Sequence, residues 1–215
     1  TTNAHKECNV SPGTNLSEIV HSLEPGSIII LSKGTYPIQR SILIDKPLTI
    51  RAADPGNKPL IRFNGDKPDN MVTIADGGEL KIENIAFDGV LEPGKALAKA
   101  GISTAFDMIQ PYTLTVDGCE FQNFGEGGFF AIKGTKATFA KSVTIRNCFF
   151  RDLSGDAINY AAEKDDIGRY NADDMLIENC SFYRLLGLPI NIYRGGSDES
   201  TALCYYQALY FRRLL

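Results

Sequence analysis

The sequence has no tryptophan, no Cys-x-x-Cys pair and no run of about 18 apolar residues. Without such a run, it predicts no membrane-spanning helix. The five cysteines are scattered singly, so their spacing supports neither a zinc site nor a thioredoxin-like site. Phenylalanine and tyrosine, with 12 and 9 residues, carry the aromatic content.

The sequence also has no excess of basic residues. It contains 22 lysines and arginines and 26 aspartates and glutamates, which gives a net charge of −4. A general nucleic-acid binder needs a strong basic footprint, so we expect no nucleic-acid partner. A site for an acidic polymer would have to be a local cluster of Lys and Arg side chains. Hydrophobic residues make up 43%, and 215 residues are enough for one domain with a sizeable core.

Internal repetition is the strongest feature that the sequence does contain. Four similar segments end in phenylalanines spaced 34, 29 and 32 residues apart: Leu80–Phe87, Leu114–Phe121, Val143–Phe150 and Met175–Phe182. Each segment alternates apolar and polar residues, which is typical of a half-buried strand. A turn of three short strands fits this spacing better than helical repeats or a four-stranded propeller blade. The sequence therefore predicts an all-β fold, a single-stranded right-handed parallel β-helix.

Each repeat breaks its alternation at the same place, where we expect the chain to turn a corner. Superposition stacks Asn84, Asn147 and Asn179, with Gly118 in the remaining repeat. Asparagine tolerates the left-handed backbone that such a corner needs, and stacked asparagine side chains can hydrogen-bond along the ladder. The next residues form a column of Ile85, Cys119, Cys148 and Cys180.

The cysteines of this column leave two alternatives open. Stacked residues lie about 4.8 Å apart, which permits a disulfide. Buried cysteine usually acts as a small hydrophobe, however, and we expect free thiols here.

The chain is predicted to have three parts. Residues 1–25 form an N-terminal segment whose amphipathic helix, capped by Asn15 and ended by Pro25-Gly26, covers the open end of the stack. Residues 26–201 form the β-helix, with earlier strands at 27–31, 41–45, 48–51, 60–63 and 71–74. Residues 202–215 depart from the pattern, and we expect them to be either a C-terminal cap or the mark of a truncated chain.

Three further stretches resemble one enzyme family. They are 165–172 (Asp-Asp-Ile-Gly-Arg-Tyr-Asn-Ala), 177–179 (Ile-Glu-Asn) and 193–201 (Tyr-Arg-Gly-Gly-Ser-Asp-Glu-Ser-Thr). With the Cys and Asn ladders, they are similar to polysaccharide lyase family 6, which includes alginate lyases and chondroitinase B. The resemblance covers about residues 15–201. It is closest to the second, C-terminal β-helix domain of two-domain alginate lyases.

The resemblance implies β-elimination on uronic-acid polymers, with a lysine base, an arginine acid and a calcium ion held by Asn and Glu. The catalytic strands of the family are not found here, and the two histidines, His5 and His21, are not followed by glycine. No catalytic residue is therefore assigned. The resemblance also implies a secreted or periplasmic location and a catalytic β-helix domain of the same parent protein as partner.

Candidate site residues come from two loops, in the insertion 159–174 and around Arg194. Elimination beside a carboxylate needs charge neutralisation, a base and assistance to the leaving oxygen. For binding an acidic, alginate-like polysaccharide, we predict Lys164, Arg169, Tyr170, Tyr193 and Arg194. For Ca²⁺, we predict Asp165, Asp166, Asp173 and Asp174. The alternative for both sets is a solvated loop with local ion pairs, including one from Arg194 to Asp198 or Glu199.

Three functions follow from these observations. The first is an accessory, non-catalytic β-helix domain of an alginate lyase-like protein that supports the enzyme or contacts acidic polysaccharide. The second is an active lyase on alginate or a related polyuronate. The third is a purely structural or adhesive solenoid.

Overall fold

Short strands that recur along the chain make up the structure, a computed structural model that describes residues 6–125, 129–162 and 171–193 and the backbone of two later strands. Helix α1 spans Leu16–Ser22. The strands are β1 (Glu7–Val10), β2 (Ser27–Leu31), β3 (Thr35–Ile38), β4 (Ile42–Ile44), β5 (Pro47–Ala52), β6 (Leu60–Phe63), β7 (Asp69–Ile74), β8 (Glu79–Glu83), β9 (Ala86–Asp88), β10 (Ala98–Thr104), β11 (Tyr112–Asp117), β12 (Glu120–Phe124), β13 (Phe130–Lys133), β14 (Ala140–Arg146), β15 (Phe149–Leu153), β16 (Ile158–Tyr160), β17 (Ala172–Glu178), β18 (Ser181–Leu185), β19 (Ile190–Ile192), β20 (Leu203–Gln207) and β21 (Tyr210–Arg212).

Parallel pairing joins each strand to one in the next turn of the chain, and three sheets result. Sheet A has the order β1-β2-β5-β8-β11-β14-β17-β20, sheet B runs from β3 to β21 through β6, β9, β12, β15 and β18, and sheet C runs from β4 to β19 through β7, β10, β13 and β16. The predicted fold class, an all-β parallel solenoid with one short helix near its N-terminal end, is confirmed.

The four phenylalanines that define the repeat lie in one column inside sheet B. Phe87, Phe121, Phe150 and Phe182 are at most 2% exposed. Their rings stack at centroid distances of 4.9, 5.1 and 5.1 Å, with interplanar angles of 8° or less. The strand spacing of a parallel sheet is also about 4.8 Å, so the stacking follows directly from the register.

The predicted asparagine corner lies between sheets A and B. Asn84, Asn147 and Asn179 have φ of 57°, 55° and 49°, and Gly118 has φ of 66°. Asn179 Nδ2 donates to Asn147 Oδ1 at 2.6 Å, and Asn147 Nδ2 donates to Asp117 Oδ1 at 2.9 Å. A Cβ at Gly118 would clash with Asn84 Oδ1, so the glycine also leaves room for the neighbouring asparagine.

The constraint on the backbone at this corner can be tested by substitution of Asn147. Both Asn147→Ala and Asn147→Gly remove the two side-chain hydrogen bonds of Asn147. They differ in the cost of the left-handed backbone, which is greater for a residue with a Cβ. We expect Asn147→Ala to be less stable than Asn147→Gly by about 1 kcal/mol, as measured by urea unfolding. Equal stability of the two variants would show that the corner does not constrain the backbone in solution.

The three cysteines of the column are buried and form no disulfide bond. Cys119, Cys148 and Cys180 are free and at most 2% exposed, as expected for small hydrophobes. Each thiol donates to backbone carbonyls, as Cys148 Sγ does to Arg146 O at 3.1 Å. Burial raises the pKa of Cys119 to about 12, so this thiol stays protonated at neutral pH.

Two features of the N-terminal end position the first turn of the solenoid. Asn15 caps α1 by accepting from Ser17 N at 3.1 Å, as predicted. Ahead of the helix, β1 pairs with β2, a strand that sequence reasoning did not anticipate. No helix in the described ranges is long and apolar enough to cross a membrane.

Residues 202–215, expected to depart from the repeat, continue it in two backbone segments. Strand β20 pairs with β17, and β21 pairs with β18. The physical reason is that the last strands of a parallel stack present unpaired N–H and C=O groups, with which any extended segment can pair. The other residues of 202–215 lie outside the described part of the chain.

Candidate functional site

The strands of sheet C carry a column of polar residues beside its buried positions. Consecutive residues are buried in β7, β10, β13 and β16, as Ala131 and Ile132 are in β13. One polar residue in each of these strands and in β19 lies at the same register position, and we call these five residues the sheet C column: Thr73, Ser103, Lys133, Asn159 and Asn191. Lys133 is the register partner of Asn159, and Asn159 is the partner of Asn191.

Asp156 organises the asparagines of this column. Its Oδ2 atom accepts from Asn159 Nδ2 at 2.7 Å and from Asn191 Nδ2 at 3.0 Å. Its Oδ1 atom accepts from Leu188 N at 2.8 Å. Asn159 is itself only 8% exposed, and its Oδ1 accepts from Ala161 N at 3.2 Å. Three donors on one carboxylate fix both amide side chains in place.

Lys133 is the cation of this site. Its Nζ lies 4.4 Å from the centroid of the Phe130 ring, a cation–π contact at the edge where sheet C begins. Partial burial lowers the pKa of Lys133, and the charge of Asp156 opposes that shift. Within the part of the chain that the structure describes, Lys133 makes no ion pair. The negative charge of Asp156 acts on the ammonium group without an ion pair between the two.

Several cations on the other faces of the solenoid are held in ion pairs. On sheet A, Arg146 Nε lies 2.8 Å from Asp117 Oδ2 and Lys81 Nζ lies 2.9 Å from Glu83 Oε1. At sheet B, Arg184 Nε lies 2.6 Å from Asp152 Oδ1. Charges held in such pairs attract an incoming anion less than a free ammonium does.

A half-buried ammonium, an aromatic ring and two fixed amides suit a particular kind of ligand. The ammonium pairs with a carboxylate, and the pair is stronger where water is partly excluded. A side-chain amide both donates and accepts hydrogen bonds, so it can bind a hydroxyl group that acts as donor or as acceptor. The sheet C column with Phe130 and Asp156 is therefore suited to an acidic, hydroxyl-rich ligand.

The residues predicted from the two loops are only partly covered by the structure. Lys164, Arg169, Tyr170, Arg194, Asp165 and Asp166 lie outside the described residues. In the sequence these residues follow the neighbouring strands β16 and β19. At the ends of these strands Tyr193 N donates to Tyr160 O at 3.1 Å, and the Tyr193 side chain is 43% exposed. The described residues that precede the two segments therefore lie side by side, next to Asn159 and Asn191.

The predicted calcium ligands that are described lie elsewhere. Asp173 and Asp174 are exposed residues of β17 in sheet A. Burial, with the neighbouring charge of Asp174 as the smaller cause, raises the pKa of Asp173. Among the described residues, no group of three or more His, Cys, Asp and Glu side chains could hold a metal ion. Two carboxylates do not supply the six to eight oxygens that Ca²⁺ takes, so calcium binding stays a prediction.

Sequence reasoning missed Lys133, Phe130, Asp156 and Asn191. A weak signal existed in three short segments that align with one another: Ala131-Ile132-Lys133, Ala157-Ile158-Asn159 and Pro189-Ile190-Asn191. Turns of unequal length separate these segments from the phenylalanine repeat, so their alignment became evident only from the strand pairing.

The comparisons with known proteins bear on this fold and site. Residues 34–168, more than half of the chain, match the family model described as "Domain of unknown function (DUF4957)". The chain belongs to the DUF4957 family. No curated protein matches the sequence.

Solved structures show what this DUF4957 protein is similar to. One is the PL6 family alginate lyase AlyGC, with a TM-score of 0.82 and 26% identity, covering 99% of this chain. Another is a mutant of the same lyase, with a TM-score of 0.82 and 27% identity, covering 98% of this chain. The DUF4957 chain spans 29% of the length of either lyase chain. The likeness to a PL6 lyase is confirmed as a structural one, and its assignment to a C-terminal domain stays a prediction.

Proposed function

We propose that this DUF4957 chain is a non-catalytic β-helix domain that contacts acidic, alginate-like polysaccharide and supports a catalytic domain of the same parent protein. The observation that carries the proposal is the likeness of nearly the whole chain to part of an alginate lyase. We also propose that the protein is secreted or periplasmic, as expected from the resemblance to polysaccharide lyase family 6.

The sheet C column supplies the contacts for such a ligand. Lys133 pairs with a uronate carboxylate, and the Phe130 ring offers an apolar face to the sugar C–H groups beside it. Asn191 lies two strands further along the sheet, roughly 10 Å from Lys133, where it meets hydroxyl groups of an adjacent sugar. Because Asp156 holds the amides in place, little side-chain entropy is lost on binding.

The charge pairing of the described residues supports binding without cleavage. Elimination needs a cation to neutralise the uronate, a base and an acid, all within reach of one sugar. Arg146 and Arg184 are held by Asp117 and Asp152, and only Lys133 is offered at the column. One ammonium suffices to hold a carboxylate and does not fill all three roles.

A second candidate function, an active polysaccharide lyase, is favoured by the state of Lys133. A lysine whose pKa is lowered by burial is more readily deprotonated and so is better suited to act as a general base. In that case the residues that neutralise the uronate and protonate the leaving oxygen would have to come from elsewhere in the protein.

The experiment that separates these functions is a titration with alginate, in which the ultraviolet absorbance of unsaturated product is followed. We expect Lys133→Met to weaken alginate binding about tenfold, because one charge-assisted contact is lost. The matched control is Lys81→Met, which removes a lysine paired with Glu83 on sheet A and should leave affinity unchanged.

Equal losses in both variants would mean that net charge rather than the sheet C column attracts the polymer. Sustained growth of the product absorbance with the unmodified chain, abolished by Lys133→Met, would replace the binding function with the lyase function.

A further inference from the structure

A polar groove lies at the edge between sheets B and C in the first turns of the solenoid. It consists of two cavities, of about 490 and 310 Å³, which share Asn64 as a lining residue. The larger is bounded by the segment that enters α1 and by the turn between β3 and β4. The smaller lies between the turns that follow β6 and β9. We call the two together the Asn64 groove.

A glycine lets two turns of the chain pack closely together beside this groove. A Cβ on Gly65 would lie 2.7 Å from Gln39 O and 2.7 Å from Phe63 Cζ. Both distances are too short for real atoms, so no side chain fits at this point. The groove floor there is backbone, whose peptide groups can take part in hydrogen bonds.

The larger cavity is lined by side chains that can hydrogen-bond to hydroxyl groups and by one cation that can pair with an anion. Thr14, Gln39 and Asn64 line it with hydroxyl and amide groups, and Pro37 gives it an apolar wall. Arg40 is the one charged residue of this lining. In a chain of net charge −4, the cavity is therefore locally positive.

Arg40 also differs from the cations of the smaller cavity. There, Arg62 pairs with Glu92 at 2.6 Å, and Lys95 pairs with the same carboxylate at 3.2 Å. Arg40 is exposed and has no ion pair with any residue that the structure describes. Its guanidinium group is planar and carries a fork of N–H donors that matches a carboxylate.

From these observations we infer that the Asn64 groove is a binding subsite for a sugar acid, with Arg40 gripping the carboxylate. Asn64, Gln39 and Thr14 bind the hydroxyl groups, and Pro37 packs against the C–H face of the ring. This inference rests on the proposed function, since it assigns the acidic polysaccharide a second point of attachment on the same chain.

The positions of the two sites fit one extended polymer. Sheet C runs β4-β7-β10-β13, so the turn that holds Arg40 lies three strands from β13, roughly 14 Å along the axis. The Lys133 ammonium is folded over Phe130, the first residue of β13, and so lies toward the same edge between sheets B and C. A polysaccharide lying parallel to the solenoid axis meets both cations, and each contact raises the effective concentration of the other.

The test is a titration of the full chain with alginate polymer, for the unmodified protein and for Arg40→Ala, Lys133→Met and the double variant. We expect Arg40→Ala to weaken binding about tenfold, and the double variant to weaken it further than either single change. Arg51→Ala is the matched control, because Arg51 lies on sheet A, 3.5 Å from Glu7, and should bind as the unmodified chain does. Circular dichroism should show the same fold for Arg40→Ala, since Arg40 is exposed.

The outcomes distinguish the subsite from the proposed function. If Arg40→Ala binds like the unmodified chain while Lys133→Met is weakened, the Asn64 groove is not a subsite and the proposed function stands. If the unmodified chain does not bind alginate, both are overturned. If a neutral glucan binds as well as alginate and Arg40→Ala affects both equally, recognition of a carboxylate by Arg40 is overturned.

Discussion

Replacing Phe121 with alanine should lower the free energy of unfolding by about 3–5 kcal/mol, one of the largest effects expected in this protein. Phe121 is fully buried and stacks on Phe87 at 4.9 Å and on Phe150 at 5.1 Å. Its removal takes a partner away from both neighbours and leaves a cavity in the middle of the column. The paired strands of the neighbouring turns hold the backbone at a fixed spacing, so the cavity cannot collapse easily.

The measurement is equilibrium unfolding in urea, with Phe106→Ala as the matched control. Phe106 is 73% exposed, so the same substitution there should change the free energy of unfolding by less than about 0.5 kcal/mol. Equal effects of the two substitutions would mean that the phenylalanine column is not the core of the solenoid.

The second large effect is expected at Gly155, in the turn between sheets B and C. A Cβ there would clash with the Phe129 carbonyl oxygen and lie 3.0 Å from Gly125 Cα. A Cβ on Gly125 or on Gly187 would in turn clash with the backbone of Gly155. Three successive turns therefore pack backbone against backbone at this point. We expect Gly155→Ala to destabilise the fold by about 3 kcal/mol or more, since the clash is with the main chain and no side chain can move aside.

Gly56→Ala is the matched control for this prediction. The nearest atom to a Cβ at Gly56 is Asp54 Oδ1, at an ordinary contact distance of 3.4 Å, and its backbone is not left-handed. Its free energy of unfolding should be unchanged or raised by up to about 1 kcal/mol. A Gly155→Ala protein that unfolds at the same urea concentration as Gly56→Ala would contradict the close packing of the three turns.

Much of the fold could be predicted because its strongest constraints are periodic in the sequence. The Asn column forms the short corner between sheets A and B, and the Phe column lies three residues further along the chain, so each repeat keeps the same spacing between them. The run 27–31 was predicted as a strand with the bounds that the structure shows. Asn15 was recognised as a helix cap because the side-chain chemistry of capping is local.

The polar column of sheet C could not be predicted in the same way. The turns before and after sheet C differ in length from one repeat to the next, so no fixed spacing connects Lys133 with Asn159 or Asn191. The contact of Lys133 with Phe130, and the hydrogen bonds of Asp156 with residues 32 and 35 positions away, depend on the strand register. Of the two charged loops that the sequence favoured, 159–174 and 193–199, residues 163–170 and 194–199 lie outside the described residues, so the predictions made for them stay open.

The strand pairing also changes where a ligand is expected. Sequence reasoning confined the ligand-contacting residues to two loops late in the chain. The structure adds Lys133 and Phe130 in the middle of the solenoid and the Asn64 groove in its first turns. A long ligand lying along the axis is therefore more consistent with the described residues than a small ligand held in one loop.

The most direct test of polysaccharide contact is a titration of the unmodified chain with alginate and, in parallel, with a neutral glucan at low and high salt. We predict binding to alginate that weakens at high salt, little binding to the glucan and no growth of the unsaturated-product absorbance. Absence of alginate binding at low salt, or equal binding of both polymers at both salt concentrations, would contradict the proposal that this chain contacts acidic polysaccharide.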